Sequence, residues 1–326
     1  MRLAVAVFSA FLLTGPPALA AEQSDFDTCS KSEEPDLTVA SCTRVINHQT
    51  LAPQVRGAAL FFRSLALETN RDLKGAMADL DEAIRIDPKP SHAHSSRARL
   101  YKEAGDDEHA FADLNAAIRI DPRVALFYNR RGLFYLEKNN YEFAVDDFNE
   151  AIRLEPRSAY GYWNRAQAHS FASYRGRAIA DYSEVIRLDP KSLQAYAARG
   201  SMYQSQGDND LAIADYDEIL RLEPKADYTL YSRGIAYRDK GNLEQAIADL
   251  TEALGINPKY TPAYHERGVA YRMKGDREHA IADFREAIRL DPKSSITSRD
   301  ALDSLGAGEP KTEPEAPKRG VLDLLK

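Results

Sequence analysis

The chain has 326 residues, 44% hydrophobic and 29% charged, with a formal net charge of −7. These values belong to folded proteins and exclude a disordered or fibrous chain. Lys and Arg are spread among Asp and Glu, so there is no basic footprint for nucleic acid.

Residues 1–20 differ in kind from the rest. Arg2 gives a short positive start, and Leu3 to Leu13 is apolar apart from Ser9. Gly15, Pro16 and Pro17 break the run, and Ala18-Leu19-Ala20 places small residues where a signal peptidase reads. The apolar run is too short for a spanning helix, which favours a cleaved secretory signal peptide over a retained anchor. Cleavage after Ala20 removes Arg2 and takes the net charge from −7 to −8. Ala21 rather than Cys follows the cut, so no lipid anchor is indicated, and no other segment suits a membrane span. The mature protein is expected to be exported, with no membrane insertion.

Residues 21–56 read as an N-terminal capping segment containing the two cysteines, Cys29 and Cys42. In an oxidising compartment a pair this close reads as a disulfide, worth about 3 kcal/mol on the chain-entropy model. Two free or intermolecular thiols are the other reading. There is no Cys-x-x-Cys, hence neither a redox motif nor a zinc knuckle.

From here a single period organises the chain. Pro88, Pro122, Pro156, Pro190, Pro224, Pro258 and Pro292 stand 34 residues apart. Counting each Pro as position 32, seven units run over residues 57–294. Position 20 is Ala in all seven, position 24 is always large and apolar or aromatic, and position 11 is Tyr in five. Position 8 is Gly in four units and small in the others. Small residues at 8 and 20 let two helices approach closely, while bulky ones at 4, 11 and 24 fill the space beside that contact. Gly at position 15 followed by Asp or Asn ends the first helix and caps the second, and Pro stops the second. Apolar positions 20, 21, 24, 27 and 28 lie on one helical face. Each unit is therefore a helical hairpin that buries its face only by stacking on its neighbours.

Both ends fit a stack that must be capped. Thr38 to Ile46 matches the second helix of a unit, with Cys42 at position 24, so residues 36–48 read as half of a degenerate leading repeat. Residues 295–305 read as a closing helix. Residues 306–326, rich in Gly, Pro, Glu and Lys, read as a flexible tail whose apolar end, Val321 to Leu325, either docks or frays.

The pattern resembles the tetratricopeptide repeat (TPR), in the variant whose helices read Tyr-x-x-Arg-Gly and Ala-Ile-Ala-Asp-Phe. The last unit carries both, as Tyr264-His265-Glu266-Arg267-Gly268 and Ala280-Ile281-Ala282-Asp283-Phe284, and the resemblance covers 238 of 326 residues. It implies an all-α, right-handed superhelical solenoid of antiparallel helix pairs, with seven TPR units plus the degenerate N-terminal half-repeat. It also implies a non-enzymatic scaffold that holds a protein or peptide in a concave groove lined by positions 2, 5, 9, 12 and 13 of each first helix.

At those positions the third, fourth and sixth units carry unusual apolar and aromatic residues. They are Leu126, Leu133 and Leu136, then Tyr160, Trp163 and Phe171, then Tyr228, Tyr231 and Ile235. Asn129 and Gln167 add amides suited to a peptide backbone. The expected centre is the fourth unit, where Trp163 is the only tryptophan and His169, Ser173 and Gly176 break the repeat's packing pattern. Some of these side chains are expected only to pack between adjacent first helices. The Lys and Asn of the family's carboxylate clamp for chaperone tails are missing.

Arg at position 7 and Asp at position 23 recur in every unit. Strict repetition favours a structural ion pair over an anion-binding ladder. His92-x-His94 is the one histidine pair near ligand spacing, but no Cys or carboxylate follows at the spacing a metal needs, and no cofactor is implied. Gly-x-Ser-x-Gly, a phosphate-binding glycine loop and His-Glu-x-x-His are all absent, so no enzyme is expected. The chain resembles exported repeat proteins of Gram-negative bacteria, which points to the periplasm. The alternative is a self-associating scaffold of the envelope with an empty groove; the sequence leaves the oligomeric state open.

Overall fold

An apolar stripe at three- and four-residue spacing makes a helix only where its ends are capped and its stripe is covered, and the chain supplies both at every repeat. The computed structural model describes residues 17–48, 51–87, 89–293 and 295–307, with residues 17–22 described by their backbone alone. Residues 1–16 of the expected signal peptide and 308–326 of the tail, Val321 to Leu325 among them, lie outside the described residues. Within these, all regular structure is helical, and no helix is long and apolar enough to cross a membrane.

The fold divides into two lobes, one ending at Tyr174 and the other starting at Arg175. The N-terminal lobe holds α1 (Pro17–Lys31), α2 (Pro35–Asn47), α3 (Pro53–Thr69), α4 (Leu73–Ile86), α5 (Ser91–Glu103), α6 (Asp107–Ile120), α7 (Ala125–Glu137), α8 (Tyr141–Leu154) and α9 (Ala159–Phe171). The C-terminal lobe holds α10 (Arg175–Leu188), α11 (Leu193–Gln206), α12 (Asn209–Leu222), α13 (Asp227–Asp239), α14 (Leu243–Ile256), α15 (Thr261–Lys274), α16 (Arg277–Leu290) and α17 (Ile296–Ser304). Within each lobe every helix packs on the next, and first helices also touch first helices, α7 on α9 and α13 on α15.

The small residues do what their size predicts. The position-20 alanines, from Ala76 to Ala280, are 0–1% exposed, and the position-24 residues Leu80, Phe148, Leu250 and Phe284 are sealed beside them. A Cβ placed on Gly132 would lie 2.5 Å from the Phe148 ring, and one on Gly268 would lie 2.8 Å from Phe284. Position 15 has a left-handed backbone in all seven repeats. Gly105, Gly207, Gly241 and Gly275 hold φ of 79–86° there, and Arg71, Asn139 and Ser173 hold 59–63°. The following Asp72, Asp106 and Asp276 accept from the backbone N–H of Gly75, His109 and His279, capping α4, α6 and α16.

The charged ladder is structural and reaches further than a pair. Arg131 donates from Nε and Nη2 to both oxygens of Asp147 at 2.8 and 2.7 Å, and from Nη1 to Asn115 at 2.7 Å. Asp147 sits on the second helix of the same repeat, and Asn115 sits at position 25 of the repeat before. The same three-way arrangement joins Arg97 to Asp113 and Asp81, Arg233 to Asp249 and Asp217, and Arg267 to Asp283 and Thr251. Tyrosine rings at positions 4 and 11 lie 5.6–6.0 Å from these guanidiniums. Burial pushes the Asp147 carboxyl up in pKa, and the Arg131 hydrogen bonds pull it back. Asp113 is also buried, but the bonds from Arg97 and His94 outweigh that and hold it below the ordinary carboxylate range.

At the N-terminus, α2 stands as the second helix of a leading repeat. Arg63 donates to Thr43 of α2 as the other ladder arginines do to position 25. The segment around Cys29, which the sequence leaves without an element, is helix α1. A Cys29–Cys42 disulfide with a Cα–Cα distance of 4.8 Å ties α1 to α2, and both sulfurs are buried beside Val45 and Ala59. At the other end Ala301 and Leu302 of α17 cover Ala280 and Phe284 of α16.

Four outcomes follow from this structure. Arg131→Ala leaves the 5%-exposed Asp147 without its guanidinium. Breaking such a pair costs about 3–5 kcal/mol, so thermal melts should fall sharply, and a variant melting like wild type would refute the clamp. Gly132→Ala forces the buried Phe148 ring aside and should cost about 1–3 kcal/mol. Gly255→Ala, with nothing within 4 Å, should instead gain about 0.5–1 kcal/mol in chemical denaturation. Chain taken from its native compartment should weigh two hydrogens less without reductant; two alkylatable thiols there would overturn the disulfide.

Candidate functional site

On a first helix, positions 2, 5, 9, 12 and 13 share one face, and the structure sorts them by how closely the neighbouring first helix covers them. In the N-terminal lobe α7 and α9 present the apolar set. Leu126 is 40% exposed and Tyr160 47% exposed, both at position 2, and Phe171 at position 13 is 64% exposed. Trp163 and Gln167 are half-buried beside them on α9. Phe171 stacks on Tyr141, the first residue of α8, with centroids 6.2 Å apart and planes 13° from parallel. The same positions of α5 hold His92, Ser95, Arg99, Lys102 and Glu103, so the apolar set of α7 and α9 does not continue onto α5.

Two of the expected α7 residues are turned inward. Asn129 is 4% exposed, and its Oδ1 accepts from Asn164 Nδ2 of α9 at 3.3 Å. It belongs to the α7–α9 contact rather than to the surface, because position 5 falls where the two helices meet. Leu133 is half-buried and, with Leu136, packs against the core of Ala144, Phe148 and Ala168.

In the C-terminal lobe Tyr228 of α13 is 66% exposed. Its ring lies 6.1 Å from Tyr231, which lies 5.0 Å from Tyr260. Tyr231 rests on the cluster of Leu250, Leu254 and Ala263, and Ile235 is half-buried one turn on. Burial, then the neighbouring phenols, pushes the Tyr260 hydroxyl up to about 12, so it stays neutral at physiological pH. Leu126, Tyr160, Trp163, Gln167 and Phe171 thus lie on first helices of the N-terminal lobe, and Tyr228, Tyr231 and Ile235 lie on α13 of the C-terminal lobe, where the two tyrosine rings meet.

The sequence reading passed over position 6. Arg130 stands there on α7, half-buried, donating from Nη1 to the backbone oxygen and hydroxyl of Ser95 at 2.8 and 2.6 Å. It is one of two adjacent arginines, and the periodic role of Arg131 masked it. Its neighbour Arg99 of α5 is ion-paired with Glu68.

The histidines singled out by spacing are used in packing. His92 lies between the rings of Phe61 and Phe127, at 6.0 and 5.2 Å, and His94 Nδ1 meets Asp113 at 2.7 Å. Among the described residues no three His, Cys, Asp or Glu side chains gather as a metal set.

Comparison with known proteins bears on the fold. No curated protein matches the sequence. Among solved structures the chain is similar to YrrB, described as a TPR protein with an unusual peptide-binding site. Identity there is 18%, over 58% of this chain and 97% of that one, with a TM-score of 0.52. It is also similar to a tetratricopeptide repeat protein from Parabacteroides merdae ATCC 43184, at 17% identity over 77% of this chain and 98% of that one, with a TM-score of 0.52. At such identities these likenesses speak for the fold alone. Sequence profiles described as tetratricopeptide repeat match residues 58–90, 91–124, 125–158, 164–227 and 261–294, and one described as TPR repeat matches 234–275. With its 34-residue period, its stacked helix pairs and these matches along the repeats, the chain belongs to the tetratricopeptide-repeat family.

Proposed function

We propose that the chain is a non-catalytic scaffold that binds an extended protein segment on the first-helix face of its N-terminal lobe, centred on α9. The observation that carries this reading is the exposure of Leu126, Tyr160 and Phe171 beside half-buried Trp163. Large apolar side chains gathered on a surface mark contact sites, and aromatic rings bury much area at little conformational cost. The tightest helix contacts of the repeat run through positions 8, 20 and 24, which leaves Leu126 and Tyr160 at position 2 exposed. Gln167 offers an amide to the backbone of a bound segment. YrrB, which has the same fold, is itself described as having a peptide-binding site.

Export to the periplasm is part of the reading. It rests on the signal-like character of residues 1–20 and on the buried disulfide, which persists in an oxidising compartment.

The single tryptophan makes the site directly observable. Peptides selected from a displayed random library on the mature chain should shift the Trp163 emission. Combining Tyr160→Ala with Trp163→Ala should weaken their binding at least about 30-fold, the loss of a true anchor at about 2 kcal/mol, while helical content stays unchanged. Unchanged affinity in the double variant would remove the site from α9. Light scattering should give a monomer; a dimer dispersed by the same double variant would mean that this surface serves self-association.

A further inference from the structure

The ladder arginines show what this sequence does with a guanidinium that is partly withdrawn from water. In each described clamp the Nε/Nη2 edge carries a carboxylate, as in Arg131 with Asp147 or Arg267 with Asp283, and Nη1 is held by a third residue. Arg130 repeats this arrangement with one part left out. Its Nη1 is held by Ser95 of α5, but among the described residues no acceptor meets Nε or Nη2, and neither is a sealed, unpartnered atom. Among the described residues no carboxylate lies within ion-pair distance of it. The adjacent Arg99 is ion-paired with Glu68, whereas Arg130 has no such pair. Burial, then the like charge of Arg99, lowers its pKa, and the phenol of Tyr160 and the carboxylate of Glu68 act on it in the opposite sense.

A half-buried guanidinium that lacks an anion gains more from acquiring one than an exposed arginine does, because part of its desolvation has already occurred. The Nε/Nη2 edge is also the edge that takes a carboxylate through two parallel hydrogen bonds. Apolar surface lies beside it, on Leu126 one turn back on its own helix and on Tyr160 of α9. We propose that Arg130 receives an Asp or Glu side chain of the bound segment on its open Nε/Nη2 edge, so that the partner is an acidic residue flanked by apolar or aromatic ones. An internal side chain fits better than a chain terminus, since first helices flank Arg130 on both sides, α5 and α9, and a segment can continue across each. This rests on the reading of the α7–α9 surface as a binding face and adds the charge and the register of what it binds.

The test uses the mature full chain and a displayed random-peptide library. Selection on the wild type should enrich peptides with an Asp or Glu at one fixed position. Changing that residue to Asn or Gln in the synthetic peptide should weaken binding to the wild type at least about tenfold. The same change should have little effect against Arg130→Gln, and Arg130→Lys should recover only part of the loss, since it keeps the charge without the fork. Because the first comparison varies the peptide alone, it stands even if the Arg130 variants fold poorly. Equal binding of the acidic and amide peptides to the wild type would overturn the proposal. In that case continued dependence on Tyr160 and Trp163 would leave the binding face intact, whereas loss of that dependence would remove the face as well. A selection that enriches no peptide would overturn both.

Discussion

A guanidinium can meet acceptors along two edges of one plane, and the repeat stack depends on that geometry. In each described clamp one arginine holds the Asp of its own second helix and position 25 of the preceding repeat, so one side chain ties three helices. This makes each repeat's placement conditional on the repeat before it, the nearest-neighbour coupling on which linear repeat arrays depend. It also makes tolerable the burial of an Asp in every repeat at 3–6% exposure, which no unpaired carboxylate would sustain. Lysine has no planar fork and cannot replace it.

Much of the fold was legible because its strongest constraints are steric and periodic. Ala at position 20 and Gly at position 8 are written as small residues at a fixed spacing, and Phe148 against Gly132 is the contact that spacing implies. What stayed hidden came from residues whose type is not restricted. Ahead of each ladder arginine, position 25 holds Thr, Asp, Asn or Ser, any of which can accept from it, so no letter repeats to announce it. Helix α1 stayed hidden for a different reason: its placement depends on the bond from Cys29 to Cys42 more than on a pattern of its own.

The candidate site was legible in part, and the boundary runs through individual turns of helix. At position 2 of α7, α9 and α13 the expected Leu126, Tyr160 and Tyr228 are exposed, whereas His92 at the same position of α5 is packed between its neighbours. Position 5 lies at the seam, where Asn129 is consumed by Asn164 and Tyr231 leans on Leu250 and Ala263. Helical periodicity states which face a residue shares but not how near the next helix comes. Arg130 was missed because its chemistry is local. An arginine without a carboxylate looks like any other arginine until its surroundings are known.

The hairpin turns differ between the lobes in a way that bears on how the molecule comes apart. At the hairpin turns of the C-terminal lobe the left-handed residues, Gly207, Gly241 and Gly275, are all glycines, whereas the N-terminal lobe has Arg71, Asn139 and Ser173 beside the single Gly105. A side chain in that conformation costs roughly 1–2 kcal/mol, somewhat less for Asn. Three such turns lie in the lobe that carries Arg130, Tyr160 and Trp163, two of them directly bounding α7 and α9. Brief fraying of the hairpin tips is therefore cheapest beside the proposed binding surface. Backbone amides there should exchange with solvent sooner than those of the glycine turns, giving the first-helix face a local freedom to adjust that the rest of the stack lacks.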